Sequence, residues 1–397
     1  MNTEVTGKII VRQDRLRPFV ERHPWVRATA VELVEGNPPD GGIVDLVTRD
    51  GRFIARGLYN SRSQIRVRLY TWQDVPLNRE FWRDRIHRAV TLRNELGLIT
   101  PQGAARLVFS EADGLSGLIV DKYGPYLVVQ TNALGLEQRS CELLEILEEV
   151  IKPRGIVHRC DPEVREQEGL TIERAVHGTV PDGPILIEEH GIQYGVDLLM
   201  GQKTGFYLDQ RENRRVAAQW TRDKRVLDMF CYTGGFALCA AKLGRAREVW
   251  GYDSSEKAII LARANAEHNS MPRTRFEVGD AFQVLKELRE RGERFDVVIL
   301  DPPKFASGKA KLPEALRAYH FLNRMAVELI PPGGYLITCS CSGYVTREDF
   351  FNVIFGVAQQ TRRDIQVLEQ RGAGADHPVS VTCRETNYLK CFICRVL

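Results

Sequence analysis

From residue 225 to residue 360 the chain alternates short apolar segments with amphipathic ones, and this alternation limits the fold more than any other feature. The apolar segments include RVLDMF (225–230) and EVWGYD (248–253), and a helical pattern follows each of them. Repeated strand–helix units with short connections predict an α/β fold with a mostly parallel sheet covered on both faces. The last two strand patterns, DIQVLEQ and NYLKCFICRVL, have no helix between them, so we expect a seven-stranded sheet that ends in an antiparallel hairpin.

Two smaller domains are predicted before this region. The segment GGIVDLVTRDGRFIARGLYN reads as a β-hairpin around Asp50-Gly51, and SQIRVRLYTW alternates like a further strand. Next come the helical pattern REFWRDRIHRAVTLRNELG and the strand-like GLIVDKYGPYLVVQTN. A chain of 397 residues is long enough for two or three domains. We therefore expect a small β domain over 1–73, a middle α+β domain over 74–184 and the α/β domain over 185–397.

Composition narrows the class of protein. No apolar run approaches the ~18 residues that a membrane helix needs, and the first twenty residues have no continuous apolar segment of the signal-peptide type. The nine cysteines are scattered, which favours free thiols in a reducing cytoplasm over a disulfide framework. A net charge of +3 neither requires nor excludes a polyanionic partner. The oligomeric state stays open, with a homodimer as one arrangement.

Acidic residues end three successive predicted strands, at Asp228, Asp253 and Asp280. Ligands of such sheets bind beyond the carboxyl ends of the strands, where the first turn is usually glycine-rich. Here that turn contains Gly234 and Gly235, and the acid before them would repel a pyrophosphate. An acid suits a cationic ligand such as S-adenosylmethionine. Each aspartate could instead be a helix N-cap, but the three together predict a site of the class I methyltransferase type.

The fourth strand of the α/β region ends in the stiff turn Asp301-Pro302-Pro303-Lys304-Phe305. Two prolines fix φ and remove two amide donors, so the turn holds its carbonyls and Asp301 in place. We interpret it as a pocket for a planar base, with Phe305 available for stacking. A purely structural turn is the alternative.

The fifth strand, in GGYLITCSCSGYV, ends with two alternating thiols, Cys339 and Cys341, which we therefore expect to share one face of the strand. Methylation of a pyrimidine at C5 needs a nucleophile, and a thiolate that adds at C6 makes C5 reactive. An acid near N3 or N4, such as Asp301, would assist. The alternative is that both thiols are buried in the core. The Cys391–Cys394 pair lies in a strand pattern, so we expect no metal site there.

Several long motifs resemble one family, the bacterial RNA methyltransferases with an N-terminal PUA domain, an intervening domain and a Rossmann-like methyltransferase domain. The motifs are RHPWV, ARGLYN, GQKTGFYLDQRENR, FCYTGGFAL, DPPKF, SCSG, ADHPV and YLKCFICRV, which span essentially the whole chain. The resemblance implies S-adenosylmethionine as cofactor and an RNA partner, with 23S ribosomal RNA or a large-subunit assembly intermediate as the expected substrate. It also implies that the arginine-rich N-terminal part binds structured RNA.

The resemblance further implies functional residues. The catalytic residues would be Cys341, as the nucleophile of an SCS element, and Asp301; this chain also carries Cys339, which is the alternative nucleophile. Pro302, Pro303 and Phe305 would contact the substrate. The residues implied at the cofactor site are Lys203, Tyr207, Asp209, Arg211, Asp228, Phe230, Tyr232, Thr233, Gly234, Gly235, Asp253, Ser254, Asp280, Ala281 and Asp301.

The expected activity is formation of 5-methylcytosine through a covalent cysteine–C6 adduct. Two alternatives remain open from the sequence. One is methylation of a guanine or adenine nitrogen, which the Asp-Pro-Pro turn also suits and which needs no thiol. The other is a non-catalytic RNA-binding assembly factor.

Overall fold

The computed structural model describes residues 3–160, 162–171, 174–306 and 308–397. The chain forms two compact units. The first unit comprises Met1–Ile185, Val196–Phe206 and Ala375–Thr386. The second comprises Leu186–Gly195, Tyr207–Gly374 and Asn387–Leu397. No helix in the described part of the chain is long and apolar enough to cross a membrane.

The first unit contains a six-stranded sheet in the order β2-β6-β5-β4-β1-β3. Its strands and the helix between them are β1 (Val5–Val11), α1 (Arg17–Val20), β2 (Trp25–Arg27), β3 (Val31–Glu35), β4 (Ile43–Val47), β5 (Phe53–Tyr59) and β6 (Ile65–Thr71). The predicted hairpin is confirmed, since β4 and β5 pair antiparallel with Ile43 opposite Leu58. The buried side chains of this sheet, including Ile9, Val26, Leu46 and Val67, form a core of their own.

A five-stranded sheet in the order β11-β10-β9-β8-β7 completes the first unit. Its elements are α2 (Arg79–Glu95), β7 (Ala104–Phe109), β8 (Leu118–Tyr123), β9 (Tyr126–Thr131), α3 (Leu134–Glu137), α4 (Ser140–Ile151), β10 (Gly155–Arg159), α5 (Pro162–Glu168) and β11 (Ala175–Gly178). Helices α2 and α4 carry buried apolar residues such as Trp82, Ile86 and Leu143, which belong to one core cluster with the sheet. This mixture of elements agrees with the α+β character predicted for 74–184, although its boundaries stay a prediction.

The second unit contains a seven-stranded sheet in the order β16-β15-β14-β17-β18-β20-β19. Two further strands, β12 (Ile185–Glu189) and β13 (Ile192–Val196), form a separate ribbon. The remaining elements are α6 (Arg211–Ala218), β14 (Arg225–Met229), α7 (Gly235–Lys242), β15 (Glu248–Asp253), α8 (Glu256–His268), β16 (Thr274–Val278), α9 (Ala281–Glu290), β17 (Val297–Leu300), α10 (Leu312–Leu329), β18 (Gly334–Ser340), α11 (Arg347–Thr361), β19 (Ile365–Arg371) and β20 (Lys390–Val396).

The predicted α/β architecture is confirmed in this unit. Strands β14 to β18 pair only in parallel with one another, and β20 is antiparallel to both of its neighbours. From β14 the next strands in sequence, β15 and β16, are added on one side of the sheet, whereas β17 and the later strands are added on the other side. The direction in which strands are added therefore reverses between β14 and β17. Ligands of open α/β sheets bind at such a switch point, beyond the carboxyl ends of the strands. The tips of β14, β17 and β18 are therefore the place to look for a site.

Candidate active site

Asp228, on β14, is a buried carboxylate with an unused oxygen. Its Oδ2 accepts a hydrogen bond from the Ala237 N–H at 2.9 Å, whereas its Oδ1 has no partner among the described residues. Burial, followed by the negative charges of Asp301 and Asp253, raises the pKa of Asp228 well above its usual value. A buried polar atom without a partner is costly. A cationic ligand group beside Oδ1 would remove that cost, so the predicted preference for a cation fits this site.

The turn between β14 and α7 is held in an unusual backbone conformation. Phe230 has φ 65°, Tyr232 has φ 48° and Gly234 has φ 89°. Left-handed non-glycine residues cost free energy and persist where the surrounding structure enforces them, frequently at functional sites. The Tyr232 N–H donates to Asp253 Oδ2 at 2.9 Å, which ties the turn to the tip of the next strand. The strain is therefore maintained by the neighbouring strand of the sheet.

Thr233 and Gly235 complete this turn. Thr233 is 2% exposed, its Oγ1 has no partner among the described residues, and its carbonyl accepts from Asn265 Nδ2 at 3.0 Å. Gly235 is the first residue of α7. The N-terminal end of this eight-residue helix and the tip of β14 thus lie in one turn.

The other two acidic strand ends differ in exposure. Asp253 is half-buried and accepts from the Tyr232 and Ser255 N–H groups, at 2.9 Å each, through different oxygens. Each carboxylate oxygen has a second lone pair, so Asp253 retains capacity for ligand hydroxyls. Asp280 is exposed and caps α9 by accepting from the Gln283 N–H at 3.0 Å. The N-cap role considered from the sequence is thus present at Asp280.

The neighbours of these two aspartates are placed differently. Ser254, which follows Asp253, is exposed. Ala281, which follows Asp280, is the first residue of α9 and 5% exposed.

Asp301 follows β17 and is half-buried. Burial and the charge of Asp209 raise the pKa of Asp301 to about 7, although the Gln210 amide opposes the shift. That amide donates from Nε2 to Asp301 Oδ1 at 2.9 Å. A carboxyl group that titrates near neutrality can hold a proton and give it to a substrate.

The Gln210 amide is fixed in orientation by its neighbours. Its Oε1 accepts from Asn213 Nδ2 at 2.6 Å, and the same Asn213 nitrogen donates to the Gly372 carbonyl at 3.0 Å. Asn213 Oδ1 accepts from Arg371 Nε at 3.0 Å. Because Asn213 donates to the oxygen of the Gln210 amide, the NH₂ group of that amide is directed at Asp301.

Tyr207 and Asp209 lie beside this network. Asp209 Oδ2 accepts from the Tyr388 hydroxyl at 2.6 Å, and its buried Oδ1 has no partner among the described residues. The Tyr207 ring is half-buried and packs edge-on against Tyr232, with centroids 5.3 Å apart. Burial and then the charge of Asp301 raise the pKa of Tyr207. Both residues are thus close to the groups at the tips of β14 and β17.

The two basic residues expected at the cofactor site, Arg211 and Lys203, differ in burial. Arg211 begins α6 and pairs with Glu189, its Nε lying 3.4 Å from Glu189 Oε2. Glu189 also accepts two hydrogen bonds from Arg214, at 2.9 Å each. Lys203 belongs to the first unit, is exposed and has φ 55°. The guanidinium of Arg211 is therefore engaged in a buried ionic cluster.

The two candidate nucleophiles differ in accessibility. Strand β18 ends at Ser340, so Cys339 lies inside the strand, and Cys341 lies in the turn beyond it. Cys339 is fully buried opposite Cys391 on β20, and burial raises its pKa well above the usual thiol value. Cys341 is half-buried, and its Sγ lies 3.8 Å from the Pro302 carbonyl oxygen. Only Cys341 of the pair combines partial exposure with contact to the turn that follows β17.

The proline turn itself is partly packed. Pro302 is buried and Pro303 is exposed. The Phe305 ring is half-buried and packs against Tyr319 and Phe282, with centroids 4.9 and 6.3 Å away. The stacking role expected for Phe305 would have to use the part of the ring that these neighbours leave open.

The cysteines form no disulfide. All nine lie in the described part of the chain, and none is joined to another by a disulfide bond. In the first unit, Cys383, Glu385 and His23 come within 4.8 Å of one another, a spacing that could suit a metal ion. However, His23 Nδ1 accepts from the Trp25 N–H at 3.2 Å, so in the neutral ring Nε2 carries the proton, and that atom faces Glu385 at 3.4 Å. The cluster is accounted for by hydrogen bonds.

Three residues of this region were not singled out from the sequence: Gln210, Tyr388 and Lys390. Each lies within or beside a motif that was recognised, GQKTGFYLDQRENR or YLKCFICRV. Gln210 and Tyr388 matter through the carboxylates that they contact, and Lys390 through the turn that it holds. A single sequence contains no signal for such pairings, because the partners are 91, 179 and 48 residues apart.

Comparison with known proteins agrees with this geometry. Residues 9–72 match a PUA-like domain, and residues 178–360 match an S-adenosylmethionine-dependent methyltransferase domain. The relatives include "Ribosomal RNA large subunit methyltransferase I" of Tolumonas auensis, 42% identical over 98% of this chain and 99% of the relative. The protein of the same name from Aeromonas hydrophila is 41% identical over 98% and 100%.

Among solved structures, the fold is similar to that of SMU.776, which was crystallised with SAH. The TM-score is 0.86 at 23% identity, over 98% of this chain and 99% of the other. The two domain matches and the full-length identity lead to one conclusion: the chain belongs to the family of the ribosomal RNA large subunit methyltransferases I, with a PUA-like domain and an S-adenosylmethionine-dependent methyltransferase domain of Rossmann-like fold.

Proposed function

We propose that this methyltransferase forms 5-methylcytosine in 23S ribosomal RNA, with Cys341 as a covalent nucleophile. The observation that carries the proposal is the half-buried Cys341 thiol, 3.8 Å from the carbonyl oxygen of Pro302, the residue that follows Asp301, whose pKa is raised to about 7. The names of the relatives support ribosomal RNA as the substrate. Such a substrate would place the reaction in the cytoplasm.

The proposed chemistry begins at C6 of the cytosine. The Cys341 thiolate forms the C6–S bond, and the electron pair of the C5=C6 bond moves toward N3, where protonated Asp301 supplies a proton. C5 becomes nucleophilic as a result. After methylation the C5 proton leaves to a base, the C6–S bond breaks to restore the C5=C6 bond, the thiolate of Cys341 is regenerated, and the N3 proton returns to Asp301. The thiolate suits both steps because it is a strong nucleophile and a good leaving group.

S-adenosylmethionine supplies the electrophilic methyl group when bound. We propose that Asp228 takes its cationic end, since Asp228 Oδ1 is buried without a partner in the described part of the chain. Asp253, with lone pairs to spare, would accept the ribose hydroxyls. The strained turn from Phe230 to Gly235 would border the ligand. Asp280 with Ala281 would contact the adenine, and Tyr207 and Asp209 would border the methionine end.

The RNA-facing part of the proposal concerns two regions. Pro302, Pro303 and Phe305 would line the base pocket. The PUA-like domain would bind the surrounding RNA, mainly through phosphate contacts made by its arginines.

The test uses a 23S ribosomal RNA fragment and measures the product nucleoside by mass spectrometry. Wild-type protein should form 5-methylcytosine, whereas Cys341→Ala should form none, and Cys339→Ala, the matched control, should retain activity. RNA that carries 5-fluorocytosine has no proton to lose at C5, so wild-type protein should remain attached to it through Cys341. Unchanged turnover of both single variants and the double variant, or a product methylated on a guanine or adenine nitrogen, would refute covalent C5 chemistry.

A further inference from the structure

Lys390 is a buried lysine at the base of the turn that carries Cys341. It is the first residue of β20, is 3% exposed and lies opposite Ser340 of β18. Its Nζ donates to the carbonyl oxygens of Ser342 and Tyr388, at 2.7 Å each. Lysine is almost never fully buried without a reason, because its charge is expensive to remove from water.

The charges around Lys390 come from two elements. Burial lowers the pKa of Lys390 to about 8. Cys341, in the turn, and Asp349, on α11, act in the opposite direction, whereas Arg347 lowers the pKa further. The electrostatic influence of Cys341 is the largest of these three. Lys390 is therefore a cation at neutral pH whose strongest electrostatic partner is the proposed nucleophile.

Cys341 is subject to opposing influences. The Pro302 carbonyl, 3.8 Å from its Sγ, accepts from the thiol and so favours the protonated form. Two phenols also face Cys341, those of Tyr207 and Tyr319, and its charge contributes to raising the pKa of both. A nearby cation favours the thiolate. Lys390 is the group in this set that does so at neutral pH.

We propose that Lys390 is a positioning residue for Cys341: its ammonium group holds the turn after β18 through the Ser342 carbonyl, and its charge favours the thiolate. The inference rests on the proposed role of Cys341. Anchoring alone would need only a hydrogen-bond donor, whereas activation of the thiol needs the positive charge. The two roles can therefore be separated by substitution.

The experiment measures the rate at which iodoacetamide alkylates Cys341, followed by peptide mass spectrometry from pH 6 to pH 10 on the full-length protein. Lys390→Gln keeps a donor but loses the charge, and Lys390→Arg keeps both. We expect Lys390→Gln to react about tenfold more slowly at pH 7, which corresponds to a shift of one pH unit in its profile. Lys390→Arg should retain the wild-type rate at pH 7. Lys242→Met, which removes an exposed lysine bonded to the Gly191 carbonyl, is the matched control and should match wild type.

A second readout is turnover. Lys390→Gln should lower kcat with little change in KM for RNA, and its activity should recover as the pH rises. If Lys390→Gln alkylates at the wild-type rate across the pH range while Cys341→Ala is inactive, the inference about Lys390 is wrong and the nucleophile stands. If Cys341→Ala remains active, the proposed function itself fails. Circular dichroism of each variant verifies folding.

Discussion

At the scale of single residues, the site depends on carboxylates whose protonation is set by their surroundings. Asp301 and Asp228 both have raised pKa values because burial and neighbouring negative charge disfavour ionisation. The Gln210 amide moderates the effect at Asp301 by donating to it. In the proposed function, the same residue type would therefore donate a proton at one strand end, through Asp301, and accept ligand hydroxyls at another, through Asp253.

The titration of Asp301 predicts a measurable dependence of stability on pH. In the folded protein the Asp301 carboxyl group keeps its proton up to about pH 7, whereas in the unfolded chain it loses the proton near the ordinary aspartate pKa of 3.8. The stability of the folded protein therefore falls as the pH rises between these two values. Asp301→Asn lacks this loss. The free energy of unfolding of Asp301→Asn minus that of wild type should therefore increase by about 2 kcal/mol between pH 4 and pH 8, after allowance for solvent screening.

Denaturant unfolding at a series of pH values measures this difference. Gln210→Ala is the companion variant: it removes a donor that favours the ionised form, so the pKa of Asp301 should rise further and the pH dependence should extend to higher pH. A difference between Asp301→Asn and wild type that does not vary with pH would contradict the assignment.

The sequence was enough to propose the aspartates at the strand ends and Cys341 as site residues, because their residue types and their positions at the ends of predicted strands indicate a ligand site. Gln210, Tyr388 and Lys390 could not, since an amide, a phenol or an amine becomes informative only when its partner is known. The pairing of Arg211 with Glu189 is a similar case. A guanidinium within a recognised motif looks the same in a sequence whether it binds a ligand or a buried glutamate.

At the scale of elements, the turn between β14 and α7 is the most constrained segment of the site. Gly234 has φ 89°, and an added Cβ would lie 3.1 Å from the Phe276 ring. Glycine is the residue that adopts this conformation without steric cost. The conformation and the close approach of Phe276, on β16, together explain why glycine occupies this position.

Gly234→Ala is therefore expected to be destabilising and to weaken S-adenosylmethionine binding. The matched control is Gly333→Ala, because Gly333 has nearly the same φ, 87°, and nothing within 4 Å of an added Cβ. Both variants should lose about 1–2 kcal/mol to the backbone conformation, and Gly234→Ala about 1 kcal/mol more to the contact with Phe276. Thermal unfolding and calorimetric titration with S-adenosylmethionine measure both effects. Equal losses of stability with unchanged binding would count against this view of the turn.

At the scale of the whole molecule, the methyltransferase sheet is assembled from distant parts of the chain. Strand β20 lies between β18 and β19, so the last strand in sequence is internal to the sheet. It contributes the fully buried Cys391, Phe392, Ile393 and Cys394. Between β19 and β20 the chain contributes Ala375–Thr386 to the first unit. Each unit is therefore discontinuous in sequence.

This topology predicts that a chain ending at Gly374 cannot form the second unit. Removal of β20 would expose the edge of β18 and the apolar faces that β20 covers, and exposed edges promote aggregation. We expect this fragment to be insoluble or readily digested by protease, whereas a chain that lacks only Leu397 should behave as wild type. A soluble, protease-resistant fragment that binds S-adenosylmethionine would show that β20 is dispensable.

The sequence by itself determined the α/β architecture, the seven-stranded sheet and the acidic strand ends, because hydrophobic periodicity and turn chemistry are local properties of the chain. Only the tertiary structure decided that β20 enters the sheet beside β18. It also decided that Cys339 is buried within β18 whereas Cys341 lies beyond the end of that strand. Finally, it decided that Lys390 contacts the turn between β18 and α11. These features depend on contacts between segments far apart in sequence. Their free energy arises from packing and hydrogen bonds that no local pattern contains.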